Sequence, residues 1–351
     1  MLRRIALSLL AVPLLALAAP LAAQAPHDYA FADSVSRAAP ESASRSVAAL
    51  GAYFRDALPA ERDRARGIYR WVTDNIAYDI GLYLRGGFLM PPSQDPTSLL
   101  RTRKGVCEGY SALFGAVSMA AGLEAVVVLG QAKALSTDPR RPYRTQKHAW
   151  NAVKVDGRWA LLDATWGAGD INLAQRRFER RPRDFFFDTP PAKFIWSHRA
   201  DEERWQMLEQ PLSAREFEQL PFTHRDFWEL GFPAQLVFDA VRQEGFAGFA
   251  GVFTAAGHPV EIMDAPLNRT LVPGQAHTLR LRAPGADSVI AVSGSSWQYL
   301  RQEGDTWVGT AALADREMVV MVRYPDIPAG AIVLRYESST PANSRDRARD
   351  R

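Results

Sequence analysis

The 351 residues contain one cysteine, Cys107, and six histidines. A lone cysteine excludes any internal disulfide, and no C-x-x-C or H-x-x-x-H pair offers the close ligand spacing of a structural zinc site. Charge of one sign is also scarce, with 42 Lys and Arg against 39 Asp and Glu and a formal net charge of +3. No acid precedes residue 26, so setting aside Arg3 and Arg4 takes the formal charge from +3 to +1. So even a balance predicts neither nucleic-acid nor membrane-surface binding. No fixed-period repeat is present that would point to a solenoid or propeller.

What is there begins with a long apolar run. Arg3 and Arg4 precede "IALSLLAVPLLALAAPLAA", and "AAQA" closes it with small residues. This pattern is that of a secretory signal peptide over residues 1–25, cleaved after Ala23 or Ala25. The two prolines within the run and the missing positive flank after it argue against a retained anchor, so no membrane span is expected in the mature chain. No cysteine follows the run that could carry a lipid. The protein is expected to be exported, to a periplasm or out of the cell. In an exported chain an odd cysteine suggests a free reactive thiol or an intermolecular bridge.

The remaining length predicts roughly two domains. Ile68, Trp71, Val72 and Ile76 recur at helical spacing in "PAERDRARGIYRWVTDNIAYD". A Gly- and Pro-rich loop, "YLRGGFLMPPSQDPT", follows it. Next comes "KGVCEGYSALFGAVSMAAGL", in which Tyr110, Leu113, Phe114, Val117 and Ala121 form one stripe, Gly122 ends the helix and Cys107 stands at its start. "LEAVVVLGQAKAL" reads as a buried strand. "QKHAWNAVKVDGRWALLDATWG" has two alternating runs around Asp156-Gly157, the strongest hairpin signal in the chain. Ser213 and Glu216 form a capping-box pattern. From about residue 240 short strands separated by Gly, Pro and Asp suggest a small antiparallel β-sandwich to about 338, and the basic and acidic tail from 339 to 351 is expected to be frayed.

A nucleophilic thiol needs help to lose its proton. A helix N-terminus supplies partial positive charge and free N–H groups, a histidine supplies a base, and a carboxylate fixes its tautomer. If Asp156-Gly157 is a two-residue turn, Val155 pairs with Arg158 and Trp150 opposes Asp163. Asp163 is then the diagonal neighbour of His148 on one face, about 7 to 8 Å away at the backbone. This register brings His148 to Asp163 and is silent on Cys107. The residues alone leave Cys107 open between an inert buried thiol and a nucleophile.

"GVCEGYSALF", "HAWNAVKVDGRWALLDATWG" and "IYRWVTDNIAYD" together resemble the transglutaminase-like superfamily, which has a papain-like core with the order Cys, His, Asp. "DFFFDTPPAKFIWSHRADEERWQML" further resembles its kyphoscoliosis-peptidase-like branch. The resemblance spans about residues 60 to 230 and implies an α+β fold: a transglutaminase-like domain over residues 26–230, its core about 60–170, with a β-sandwich-like domain at 240–338. It implies Cys107 as nucleophile, His148 as general base and later acid, and Asp163 as the orienting carboxylate. Acyl transfer from a peptide or protein amide through a thioester follows, with water or an amine as acceptor and no cofactor. The expected partner is a peptide or protein substrate, such as a cell-envelope protein.

The backbone N–H of Cys107 is the natural first oxyanion donor. "RTRKGV" stands where papain-like enzymes often carry a glutamine, and the nearest one upstream, Gln94, lies in the Pro-rich loop, so the second donor is left unassigned. That gap keeps open an alternative, a catalytically weak or inactive cell-envelope binding or scaffolding protein on the same fold. A metal site of Cys107, His148 and Asp163 has suitable ligand types but no close-spaced pair. Glu108 fits a first-turn acid, Tyr110 the core stripe and His198 a satisfied structural histidine. Trp150, Trp166, Phe185, Phe186 and Phe187 fit either core packing or a cleft wall.

Overall fold

A computed structural model describes residues 27–85, 94–135, 143–172, 174–223, 225–242, 246, 248–255 and 257–339. The signal-peptide expectation lies outside the described residues, as does the tail expectation beyond Ser339. Among the described residues no helix is long and apolar enough to cross a membrane.

The first part is helical: α1 (Ala30–Arg37), α2 (Val47–Ala57) and α3 (Glu61–Asn75), then β1 (Ala77–Tyr78), α4 (Ile80–Leu84), α5 (Pro96–Thr102), β2 (Lys104–Gly105) and α6 (Cys107–Ala120). In α3 the expected apolar stripe is buried: Ile68, Trp71 and Val72 are at most 3% exposed, and Ile76 follows as the C-cap. Arg66 departs from the pattern. It is buried in the same helix and fastens two distant segments, with Asp33 of α1 at 2.7 Å and Asp184 at 2.6 Å.

The helix α6 begins at the cysteine because Val106 is extended (φ −103°, ψ −176°), and it stops before Gly122, whose φ of +82° suits only glycine. Tyr110, Leu113, Phe114 and Val117 are fully buried, as their stripe predicts.

An antiparallel sheet follows, built from β3 (Ala125–Leu135), β4 (Tyr143–Val155) and β5 (Arg158–Leu162). Asp156 and Gly157 turn the β4–β5 hairpin with φ of 50° and 79°, the left-handed pair that matches strand twist. The register runs from Val155↔Arg158 to Asn151↔Leu162, as the two-residue turn dictates. The strand β3 differs from its reading as a buried strand. Val128 is 1% exposed, whereas Val127 and Leu129 are 44% and 60% exposed, so one face of this segment meets solvent.

After β5 come α7 (Ala164–Ala168), the hairpin β6 (Gly169–Asn172) and β7 (Arg177–Arg180), α8 (Pro191–Phe194) and β8 (His198–Ala200), which closes the sheet in the order β5-β4-β3-β8. Three short helices follow, α9 (Ala214–Gln219), α10 (Arg225–Glu229) and α11 (Ala234–Val241). The expected capping box starts α9, with Ser213 accepting from the N–H of Glu216 and the Glu216 carboxylate accepting from that of Ser213.

The C-terminal region contains β9 (Gly251–Val252), β10 (Glu261–Asp264), β11 (Thr270–Leu271), β12 (Ala276–Arg282), β13 (Ser288–Ser293), β14 (Ser296–Tyr299), β15 (Arg301–Glu303), β16 (Thr306–Ala312), β17 (Glu317–Tyr324) and β18 (Ile327–Ser338). They form two sheets, β10-β12-β16-β15 and β11-β18-β17-β13-β14, with β9 also on β18. Pairing is antiparallel except between β11 and β18. Leu279, Leu281, Val320 and Val322 fill the space between the sheets, and Trp196, Phe227, Trp228 and Val237 belong to the same apolar core.

Candidate active site

The thiol of Cys107 sits at the first position of α6, where the backbone N–H groups have no helical acceptor. Among the described residues nothing accepts from the N–H of Cys107, whereas the N–H of Val106 donates to Gln94 Oε1 at 2.9 Å. Gln94 is 2% exposed and immediately precedes the capped start of α5, where Asp95 accepts from the N–H groups of Thr97 and Ser98. Its burial depends on two absent side chains. A Cβ on Gly109 would lie 2.5 Å from Gln94 Oε1, and one on Gly105 would lie 3.1 Å from it. Asp95-Pro96 marks the helix start immediately after Gln94 in the sequence, but the reach of Gln94 to Val106 is set by tertiary packing.

The Cys107 Sγ–H donates to Glu108 Oε2 at 3.2 Å, and Cys107 and His148 line the same cleft. Glu108 therefore does more than favour the helix dipole.

His148 and Asp163 are brought together as the hairpin register required, with His148 Nε2 to Asp163 Oδ2 at 2.8 Å. That contact occupies Nε2 and leaves Nδ1 as the other ring nitrogen. The carboxylate is fully buried and caps α7: Oδ1 accepts from the N–H groups of Thr165 at 2.8 Å and Trp166 at 3.2 Å. A second imidazole shares Oδ2, since His198 Nε2 donates to it at 3.1 Å. Ser197 Oγ meets His198 Nδ1 at 2.7 Å, and Phe194 stacks on the ring at 4.2 Å. His198 is thus a satisfied histidine whose partner is the site's own carboxylate. No local pattern in the sequence revealed that, because the two lie 35 residues apart.

These contacts separate the two histidines electrostatically. Burial alone would push the His148 imidazole down, but Asp163 and Cys107 on either side outweigh it and raise it to about 10. For His198 burial prevails over the pull of Asp163 and holds the ring down at about 4, so it stays neutral. Burial would raise the Asp163 carboxyl, yet the two histidines hold it well below the usual carboxylate range.

One further side chain fixes the distance between helix and sheet. Asn151 of β4 is buried and its Nδ2 donates to the carbonyls of Ser111 in α6 at 3.0 Å and Val126 in β3 at 3.1 Å. Ser111 Oγ in turn donates to the Cys107 carbonyl at 2.9 Å. No motif in the sequence points to Asn151.

Cys107 and His148 open into a cleft of about 370 Å³. Trp166, Phe185 and Phe186 line it with Tyr78 and Phe178, whereas Trp150 and Phe187 belong to the core.

Residues 48–164 match the family model described as the transglutaminase-like superfamily. The chain carries a transglutaminase-like domain. This domain is similar to the kyphoscoliosis peptidase of Mus musculus, 35% identical over 176 residues that make up 49% of this chain and 26% of the relative. Hillarin of Drosophila melanogaster is 33% identical over 183 residues, 48% of this chain and 22% of the relative. The chain thus spans about a quarter of the length of the curated relatives it matches. A crystal structure of a TGase overlaps 44% of this chain and 35% of its own at 16% identity with a TM-score of 0.27, an overlay that adds nothing to the assignment.

Proposed function

We propose that the protein is an exported thiol enzyme that transfers the acyl group of a peptide or protein amide through a Cys107 thioester. The observation that carries this reading is the placement of His148, bonded through Nε2 to the buried carboxylate of Asp163 at 2.8 Å, beside the only thiol of the chain at the mouth of one cleft. Export rests on the N-terminal sequence pattern, and a cell-envelope protein is the substrate that such a location would supply.

In this reading the proton of the thiol already rests on the His148 ring in a thiolate–imidazolium pair, and the thiolate attacks the amide carbonyl carbon. A C–S bond forms and the oxygen gains charge facing the free N–H of Cys107. Collapse breaks the C–N bond as His148 returns the proton to the departing amine, leaving a thioester. Water or a primary amine then attacks, loses a proton to His148 and breaks the C–S bond, restoring the thiolate. Asp163 stays ionised throughout and stabilises the imidazolium.

Iodoacetamide alkylation followed by intact mass tests the reading. Wild-type Cys107 is expected to react at pH 6 at least about tenfold faster than a free thiol, whose pKa is about 8.5, and Cys107→Ala should lose both labelling and any amidase or amine-transfer activity. Free-thiol behaviour at pH 6 would favour the second reading, a binding protein that uses the cleft without chemistry. The hydrogen bond from the thiol to Glu108 is the observation on that side.

A further inference from the structure

Lys133, Lys147 and Arg183 line the cleft, and further arginines crowd the hairpin that forms one of its walls. Five of the eight residues from 176 to 183 are arginine, in "RRFERRPR", and they belong to the hairpin β6–β7 and the segment just after it. That hairpin walls the cleft through Gly169, Asp170, Ile171 and Phe178, and Arg183 lines the cleft beside it. Lys147, exposed and adjacent to His148 on β4, lines it too.

The carboxylates of this wall are Asp170 and Glu179. Arg183 pairs with Asp170, while Arg177 and Arg181 both reach Glu179 at 2.9 Å. Arg180 donates to the Thr73 carbonyl, and Arg176 and Lys147 meet no carboxylate among the described residues. From 169 to 183, five arginines against two carboxylates leave an excess of three positive charges, with Lys147 besides, in a protein whose formal total is +3. Glu108 supplies one carboxylate at the opposite end, at the thiol itself.

We propose that the cleft selects an acidic peptide segment, with aspartate or glutamate side chains near the amide that reacts; the inference rests on the thiol-enzyme reading above. Three physical points support it. The low-dielectric walls of a cleft focus a one-signed field and raise the local concentration of oppositely charged substrate. The Arg177 and Arg181 side chains are each 62% exposed, and exposed ion pairs are worth little, so Glu179 cancels only part of the field they add at this wall. Tyr78, Trp166 and Phe178 give the intervening apolar parts of a peptide a surface to lie on.

Three N-chloroacetyl pentapeptides that differ only in carrying aspartates, asparagines or lysines test the inference. In each, the Cys107 sulfur displaces chloride and forms a C–S bond. Each alkylation rate is divided by that of chloroacetamide with the same protein, at low salt and at about 0.15 M ionic strength, where the Debye length falls to about 8 Å. The aspartate peptide is expected to exceed the asparagine peptide about tenfold at low salt, the lysine peptide to fall below both, and the gap to shrink with salt. The double variant Arg177→Glu, Arg181→Glu should narrow or invert the order, and its melting temperature reports whether it still folds. Equal normalised rates for all three peptides, or an order that neither salt nor the double variant changes, would overturn the acidic-substrate inference while leaving the thiol-enzyme reading in place. No alkylation by chloroacetamide itself would sink both.

Discussion

A carboxylate next to a nucleophilic thiol works against its thiolate, and Glu108 accepts a hydrogen bond from Cys107 Sγ at 3.2 Å. Replacing Glu108 with Gln removes the negative charge and keeps the shape. Since hydrogen bonds to charged groups contribute about 1.5–3 kcal/mol when well buried and this one is only part-buried, a rise of about three- to tenfold in Cys107 alkylation at neutral pH is expected. An unchanged or lower rate would mean that the Glu108 contact does not restrain the thiol. The two histidines on Asp163 make a second prediction, about stability. His148 is raised from 6.5 to about 10, so its contribution is fully present below pH 6.5 and is lost as pH rises through 10. His198 is depressed from 6.5 to about 4, so the unfolded chain takes up a proton that the folded one refuses, and stability is lost as pH falls from 6.5 towards 4. Together they place a stability maximum near pH 6.5. Thermal melts should show that His198→Gln flattens the acid slope relative to wild type. Parallel slopes would show that His198 does not titrate in this window.

Between helix and sheet, Asn151 holds α6 to β4 through the carbonyls of Ser111 and Val126. Asn151→Leu leaves both carbonyls without that donor, and a loss of about 2 kcal/mol is expected from buried unsatisfied groups, together with slower Cys107 alkylation because the thiol and His148 are no longer held in register. Denaturant titration and alkylation of the same sample measure both, and a stability loss without an alkylation change would confine Asn151 to folding. Gly109 acts on the other side of the helix, where a Cβ would meet Gln94 Oε1 at 2.5 Å and Leu99 Cδ2 at 2.8 Å. Gly109→Ala should therefore cost about 1–3 kcal/mol, the usual range for overpacking, and free the N–H of Val106. At this scale the sequence was legible wherever structure is set by neighbours. The amphipathic α3, the helix start at Cys107, the Asp156-Gly157 turn and the Ser213 capping box all depend on residues within a few positions. The contact of His148 with Asp163 was legible too, since a turn and a register fix it. Gln94 reaching Val106 and His198 reaching Asp163 depend on tertiary packing across 12 and 35 residues, which no local period encodes. The exposure of Val127 and Leu129 was hidden for the same reason, because a β-branched run looks alike whether one or both faces are covered.

Across the molecule, Trp196, next to the candidate site, belongs to the core of the β-strand region. Trp196 is fully buried, with ring centroids 5.7 Å from Trp228, 4.8 Å from Phe238 and 5.7 Å from Phe249, and it shares its core with Leu279, Val320 and Val333 of the two sheets. Two residues later His198 donates to Asp163. The aromatic segment that precedes the strands thus faces the sheets as much as it faces the transglutaminase-like domain. A chain that ends after residue 242 loses Phe249 and every strand from β9 onward, leaving Trp196, Phe227 and Trp228 without their cover. Such a chain is expected to lose its cooperative melt, to bind a hydrophobic dye, and to alkylate Cys107 more slowly than the full chain at pH 6, because the segment that holds His198 against Asp163 is no longer anchored. Trp196→Ala in the full chain separates the two effects: truncating a buried aromatic costs about 3–5 kcal/mol, and the change in Cys107 alkylation below the melting point reports whether that loss reaches the site. A shortened chain that melts cooperatively at the full-length temperature with unchanged alkylation would show that the transglutaminase-like half stands on its own core.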